Sequence, residues 1–194
     1  MITPTIVRGL WAFLAGHYKT KVKAKATSAE VRVIAQMLDQ MGVVDAGAFL
    51  TRQTTTLGKT IYIPFRLGVA TPVHSLEHQL VTGAHEHQHV VQMNKDGLSF
   101  AAGYTLDTVK RTAYEAEAYR VTMTLTYYLN GSMPAPAEYA ELMKNYGVTA
   151  KDRDFLAEYL RISIPAIRAG GIPDEATRLA LQWIRAQAPQ ILVV

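Results

Sequence analysis

Hydrophobic residues recur along most of the chain with the three- to four-residue spacing of amphipathic α-helices. An N-terminal helix is expected to pack on the body of the protein or on a partner. Its apolar face comprises Ile6, Leu10, Trp11 and Leu14. A second helix is predicted after Thr27 and Glu30, which have capping-box spacing. Its apolar positions before Gly42 are Val31, Ile34, Met37, Leu38 and Met41. Longer helices are predicted over residues 75–94, 105–129, 137–145, 151–169 and 173–188.

A short β element is predicted just before the helix at 75–94. Residues 54–65 are rich in β-branched and aromatic side chains, which favour strands. The interval 59–63 is expected to be a strand that ends before Pro64, with 54–57 as its candidate partner across a turn at Gly58. The fold class is therefore α+β and mainly α, with one small β element followed by a helical C-terminal part.

Composition narrows the classes of site that the chain can carry. Its 194 residues suit one domain spanning 1–194. Cysteine is absent, so thiol chemistry and disulfides are excluded, and a transition metal must be bound by histidine and carboxylate. The net charge of +4 is only mildly basic. No aromatic residues interleave the densest cluster of charge, so we expect a solvated segment there and no nucleic-acid site. That cluster is Lys19, Lys21, Lys23 and Lys25.

The N-terminus does not have the pattern of a targeting or membrane segment. Its apolar run is broken by Arg8 and lacks a basic start and a small-residue cleavage pattern. The run is also too short to span a bilayer, so no transmembrane segment is expected. We therefore expect the protein in the cytoplasm or in a phage-like particle rather than as a classically secreted protein.

A histidine-rich motif lies within the predicted helix at 75–94. His85 and His89 are four residues apart, so their imidazoles project from one helix face and can bind a single metal ion. Glu86 stands beside that ion, where it can accept a proton from a metal-bound water as a general base. This HExxH spacing is a known signature of metalloproteases.

A catalytic zinc ion requires a third protein ligand and an open position for water. No histidine follows His89, so the third ligand is expected to be a carboxylate. The next long predicted helix offers Glu115 and Glu117, of which only one can face the ion because they lie nearly on opposite sides of the helix. Asp107 is a remoter candidate, since it follows the histidines closely.

The two helices together resemble a known class of enzyme. The segment HEHQHVVQ from His85 to Gln92, followed about thirty residues later by YEAEAYR, resembles the gluzincin type of zinc peptidase. It is also similar to small bacterial and phage-borne HExxH domains. The gluzincin pattern, in which the ligand glutamate is followed by Ala and Asp at the third and fourth positions, maps the ligand onto Glu115. Tyr119 stands where that pattern has the Asp that orients a histidine.

The resemblance implies a zincin-like fold and a zinc-dependent metallopeptidase acting on a peptide or protein. The metal-site core would span about 59–129, followed by a helical part at about 135–189. In such enzymes a strand runs along the cleft, a role for which 59–63 is placed, although a plain structural hairpin is an equal interpretation. Two alternatives remain open: a non-catalytic assembly protein, for example a phage-particle component, and a cell-wall peptide hydrolase.

The remaining candidates are less specific. His87 points away from the shared face of the motif and is expected to be packed or solvent-facing, while His78 is expected at the start of the helix. His74 and His17 carry no functional signal. Three tyrosines are candidates for donating a hydrogen bond to the transition state. They are Tyr104, Tyr114 and Tyr119.

Overall fold

The computed structural model describes residues 1–40 and 45–194 and is mainly helical, with a small sheet. Met41 and Gly42, which the sequence assigns to the end of the second helix, lie outside these residues. The strands are β1 (Lys21–Ala24), β2 (Thr55–Leu57) and β3 (Thr60–Ile63). The helices are α1 (Pro4–Tyr18), α2 (Ala29–Gln40), α3 (Ala46–Thr51), α4 (Leu76–Asp96), α5 (Leu98–Leu106), α6 (Thr108–Asn130), α7 (Pro136–Leu142), α8 (Ala150–Arg168) and α9 (Glu175–Gln187).

Capping residues in the sequence set the ends of the two helices that carry the candidate site, α4 and α6. The hydroxyl of Ser75 accepts from the backbone N–H of His78 and caps the N-terminus of α4, while Gly97, with φ of 58°, ends it. The carboxylate of Asp107 accepts from the N–H groups of Val109 and Lys110 at the start of α6. Asp107 is therefore a helix cap, and the segment predicted as one helix from residue 105 is divided into α5 and α6 at this residue.

The sheet has the order β1-β3-β2. The predicted pairing of 54–57 with 59–63 is confirmed, since β2 runs antiparallel to β3. β1 pairs with β3 in parallel and was not predicted. Its alternation of lysines with small or apolar residues over four positions is too short to distinguish a strand from a charged loop. The central strand is therefore β3, and the edge strand beside the candidate site is β2, which corrects the assignment of 59–63 as the edge strand of the cleft.

One hydrophobic core joins the N-terminal, central and C-terminal helices. The predicted apolar face of α1 is buried by the chain itself, with Leu10, Trp11 and Leu14 inside the core and Ile6 partly buried. α9 contributes Leu181 and Ile184 to the same core, whereas α7 and α8 pack on the other side of α6. No helix within residues 1–40 or 45–194 is both long and apolar enough to cross a membrane.

Three sequence predictions about helix ends and faces are wrong. Thr27 does not cap α2, because it lies in a 3₁₀ turn where its hydroxyl donates to Ala24 O. Met37 is exposed rather than packed in the core, whereas Val31 is fully buried. Pro173 precedes α9, which starts after Asp174. The carboxylate of Asp174 is bound by Arg120 at 2.6 and 2.9 Å, which draws this aspartate into the protein interior.

The charged segment before α2 is only partly solvated, which corrects the sequence prediction for Lys25. Its side chain is fully buried. Its ammonium donates to Phe49 O and to Thr55 Oγ1, each at 2.7 Å, and lies over the Phe49 ring. Loss of hydration lowers the pKa of Lys25 to about 7, an effect that the nearby carboxylate of Glu86 partly opposes. Lys25 thus links the end of β1 to α3 and β2.

The close approach of α1 to α4 requires glycine at position 83. A Cβ at Gly83 would lie 2.9 Å from Trp11 Nε1 and 3.0 Å from its Cε2, and the indole is held in place by its hydrogen bond to Gln79 O at 2.8 Å. We expect Gly83→Ala to lower the free energy of unfolding by about 1–3 kcal/mol. Gly16→Ala is the control, because a Cβ there meets no atom within 4 Å, and it should raise stability by up to about 1 kcal/mol. Urea denaturation measures both, and equal stability of the two variants would contradict the packing described.

The lowered pKa of Lys25 predicts a pH-dependent stability. Between the folded value of about 7 and the ordinary value of 10.5, the unfolded chain binds more protons at this residue, so the free energy of unfolding should rise with pH. The limiting slope is about 1.4 kcal/mol per pH unit. We expect the stability of wild type minus that of Lys25→Met to increase between about pH 7 and 10, as measured by urea denaturation. Lys21→Met, at an exposed position of the same segment, should show the same pH dependence of unfolding free energy as wild type. If Lys25→Met also showed that wild-type pH dependence, the prediction would be contradicted.

Candidate metal centre

The packing of α4 on α6 brings His85, His89 and Glu115 together. One candidate ligand atom from each lies within 4.8 Å of the others. The Nε2 atom of His85 is 3.7 Å from Glu115 Oε2, and that of His89 is 3.5 Å from Glu115 Oε1. All three side chains are buried or nearly so, with Glu115 only 1% exposed. The structure therefore assembles the residues that the sequence proposed as ligands.

The carboxylate of Glu115 has one oxygen with a partner and one without. Oε1 accepts a hydrogen bond from the hydroxyl of Tyr104 on α5. Oε2 is buried and has no hydrogen-bond partner. A buried carboxylate oxygen without a donor is costly. This oxygen faces His85 Nε2, so a cation bound between the two side chains would satisfy it.

Both imidazoles are oriented by hydrogen bonds from their other ring nitrogen. His89 Nδ1 is 2.9 Å from the side-chain amide oxygen of Gln92, which can only accept, so Nδ1 donates to it and Nε2 is the ring nitrogen that faces Glu115. His85 Nδ1 is 3.1 Å from Thr122 Oγ1, whose hydroxyl is within 3.4 Å of Ala118 O and can donate to it. The Thr122 oxygen is then free to accept from His85. Such partners are typical of metal-binding histidines.

Electrostatics favours the neutral form of the first histidine. Burial lowers the pKa of His85 well below its usual range, and the neighbouring ring of His89 adds to the effect. A neutral imidazole is the form that binds a metal ion. Glu115 consequently lies beside an imidazole that carries no compensating positive charge.

The three side chains could hold a divalent metal ion. Two ligand atoms at zinc-bond lengths around a tetrahedral ion are about 3.3 Å apart. The separations of 3.5 and 3.7 Å between imidazole nitrogens and carboxylate oxygens are close to that value. Two histidines and one glutamate are also a ligand set found in catalytic zinc sites. The geometry and the donor types define a candidate site for a divalent cation.

Glu86 lies on the same helix, is buried, and is held by the sheet. Its Oε2 accepts from Thr56 Oγ1 on β2 at 2.7 Å. Burial is the largest influence on this carboxylate and raises its pKa; His89 and Thr56 act in the opposite direction. Thr56 thus fixes one oxygen of Glu86 and leaves Oε1 available for a proton.

A cleft of about 270 Å³ opens onto these residues. β2 and the segment before it form one wall, and α5 forms the opposite wall with the start of α6 and a 3₁₀ turn at 143–146. Apolar side chains contribute much of the lining: Ile34, Phe49, Leu57 and Phe100. His85, Glu86, His89 and Glu115 all line the cleft, so the candidate centre is accessible to a small group or to part of a chain.

The α5 wall of the cleft is held by Arg111. This buried side chain donates to Tyr104 O, Thr105 O and Tyr146 O at 2.6 to 2.7 Å. It therefore joins the C-terminal end of α5 to the 3₁₀ turn. Burial raises the pKa of Tyr104, with a further contribution from Glu115, which keeps its hydroxyl a donor.

The other sequence candidates lie outside the immediate ligand set. Glu117 accepts from Gln92 Nε2 at 2.9 Å and is not part of the described His–His–Glu group. Tyr114 donates to Asp96 at 2.8 Å and does not line the cleft. Tyr119 packs edge-on against His85. The position that carries an orienting Asp in the gluzincin pattern is thus filled by an aromatic ring, and Thr122 provides the hydrogen bond.

The other histidines lie outside the candidate ligand group. His87 lies on the side of α4 that faces α1 and is fully buried. Its Nδ1 atom lies 2.6 Å from Gly83 O, and its Nε2 atom lies 3.0 Å from Thr20 Oγ1. Of the two environments that the sequence left open for His87, packed or solvent-facing, the structure shows the packed one. His78 lies in the first turn of α4, as predicted, and its ring is 5.3 Å from that of His74. His17 is exposed at the end of α1.

Several residues around the site were missed by sequence reasoning. Thr56, Arg111, Thr122 and Tyr146 are common residue types without a recognisable motif, so no sequence signal distinguishes them. Gln92 is different, because it lies on the same face as His85 and His89 at positions i+7 and i+3. That spacing identifies Gln92, from sequence alone, as a residue that can contact the candidate metal-binding histidines.

Comparisons of the chain with protein-family models, with curated proteins and with solved structures found no match in any of the three.

Proposed function

We propose that the protein is a zinc-dependent metallopeptidase, with His85, His89 and Glu115 as the metal ligands. The observation that carries the proposal is the partnerless buried oxygen of Glu115, which faces a neutral imidazole. The HExxH spacing that contains Glu86 and the cleft onto which it opens support an enzymatic rather than a purely structural metal site. The zincin-like and gluzincin assignments belong to the same proposal.

In the proposed reaction, the zinc ion activates the water and the carbonyl, and the side chain of Glu86 transfers the proton. When bound, zinc lowers the pKa of a coordinated water and polarises a carbonyl. Glu86 accepts the proton of the attacking water on Oε1, because Oε2 is held by Thr56, and then delivers that proton to the leaving amine. Its raised pKa suits both transfers, since a base with a pKa nearer neutrality also returns the proton readily.

The cleft has a suitable edge for an extended peptide. β2 is one of the two edge strands of the described sheet and pairs with β3 along one side. A substrate strand that adds to β2 would be positioned through main-chain hydrogen bonds, without recognition of each side chain. Because Thr56 belongs to β2 and also binds Glu86, such pairing would align the substrate with the proposed base.

The apolar lining favours a substrate with a bulky apolar side chain near the scissile bond. Ile34, Phe49, Leu57 and Phe100 are among the residues that line the cleft of about 270 Å³, which is enough for one large side chain. Burial of such a group provides binding energy next to the reacting bond. We therefore propose peptides or proteins with exposed Leu, Ile or Phe as the substrate class.

Glu86→Gln provides the direct test. We expect the variant to retain a stoichiometric divalent ion, because Glu86 is not one of the three ligands, and to lose about 10²- to 10⁴-fold in the rate of peptide cleavage. Metal content by mass spectrometry and cleavage of a peptide library rich in apolar residues are the two measurements. Glu138→Gln, at an exposed position on α7, is the matched control and should behave as wild type.

The same measurements, with peptidoglycan and casein as additional substrates, decide between the proposal and its alternatives. Bound metal without cleavage by wild type or variant would support a non-catalytic assembly protein. Cleavage of peptidoglycan cross-links, with no cleavage of casein or the library, would identify a cell-wall peptide hydrolase. Wild-type protein without bound metal in zinc-containing buffer would overturn the proposal altogether.

A further inference from the structure

The amide of Gln92 has a unique orientation, fixed by its three neighbours. The NH₂ group donates to Tyr114 O and to Glu117 Oε2, each at 2.9 Å. Both of these oxygens act as acceptors, so the nitrogen must face them. The amide oxygen therefore faces His89 Nδ1, at 2.9 Å. Gln92 is 3% exposed, so water competes little with these bonds.

A chain of hydrogen bonds leads from Glu117 through Gln92 to His89. Glu117 is half-buried on α6, and its carboxylate polarises the amide of Gln92. A polarised amide has a more negative oxygen, which accepts more strongly from the Nδ1–H of His89. An imidazole whose Nδ1–H is bound in this way has a more basic Nε2 and a fixed tautomer. His85 differs, since the side-chain partner of its Nδ1 is a neutral hydroxyl, that of Thr122.

We propose that Glu117 and Gln92 form a positioning relay that orients His89 and strengthens it as a metal ligand. This inference rests on the proposed metal site but assigns roles to two residues that the site does not include. It also gives Glu117 a function different from the one considered in the sequence: it acts on the ion through Gln92 and His89 instead of binding the ion directly.

Gln92→Met tests the amide. Methionine has a similar length and no hydrogen-bonding amide, so His89 should lose its acceptor and zinc affinity should fall about 10- to 100-fold. The measurement is competition for Zn²⁺ with a chromophoric chelator at fixed pH. Gln88→Met is the matched control: Gln88 is also buried on α4, but its Oε1 has no hydrogen-bond partner. That variant should bind zinc as wild type does.

A double-variant cycle tests whether Glu117 acts through Gln92. Glu117→Gln retains an oxygen that can accept from Gln92 but loses the charge, so we expect a several-fold loss of zinc affinity. In the Gln92→Met background the same substitution should have no further effect. An equal loss in both backgrounds would mean that Glu117 acts on the ion by direct long-range attraction, and would overturn the relay. Unchanged affinity in Gln92→Met would also overturn it.

Nitrogen-15 spectra of the histidine rings give a readout that does not require bound metal. In the zinc-free wild-type protein, His89 should show a protonated Nδ1 and an unprotonated Nε2, and this preference should weaken in Gln92→Met. Retention of the wild-type tautomer in that variant would contradict the relay. If the wild-type protein fails to bind zinc but the tautomer of His89 still depends on Gln92, the proposed function fails while the role of Gln92 in orienting His89 stands, so the two failures are distinguishable.

Discussion

The candidate centre depends on a buried carboxylate that lacks a cationic partner. Glu115 is enclosed by α4, α5 and α6, and its Oε2 receives no hydrogen bond. The nearest ring nitrogens belong to His85 and His89, and burial keeps the former neutral. Folded proteins rarely tolerate such an arrangement, because a buried charge requires an opposite charge or several donors. The surrounding residues are arranged as expected of a site that receives its positive charge from a bound ion.

The two faces of α4 have different roles: one packs in the hydrophobic core, and the other carries the candidate metal ligands. One face packs against α1 and α9, with Leu80, Val81 and Ala84 in the main core. The close approach at Gly83 and the buried His87 belong to that contact, so part of the histidine-rich motif has a structural role. The other face carries His85 and His89 toward α6. Because the opposite face of α4 is packed in the core, its two candidate ligands lie on a rigid element.

The sequence predicted the parts of the site that are local in the chain. The spacing of His85 and His89 determined a shared helix face, and the absence of later histidines required a carboxylate as the third ligand. The choice of Glu115 over Glu117 needed a resemblance, since it depends on how α6 is rotated against α4. Long-range contacts were not predictable: β1 pairs with β3 across almost forty residues. Lys25 was assigned to solvent because its burial depends on α3 and β2.

The two carboxylates of the cleft are each held by a hydroxyl from a different wall. Thr56 on β2 binds Glu86, and Tyr104 on α5 binds Glu115. Each wall is in turn fixed by a buried basic side chain: Lys25 binds α3 and β2, and Arg111 binds the end of α5. A displacement of either wall would therefore alter the position of one carboxylate relative to the histidines. Cleft width and site geometry are thus coupled, so a force on β2 also acts on Glu86 through Thr56.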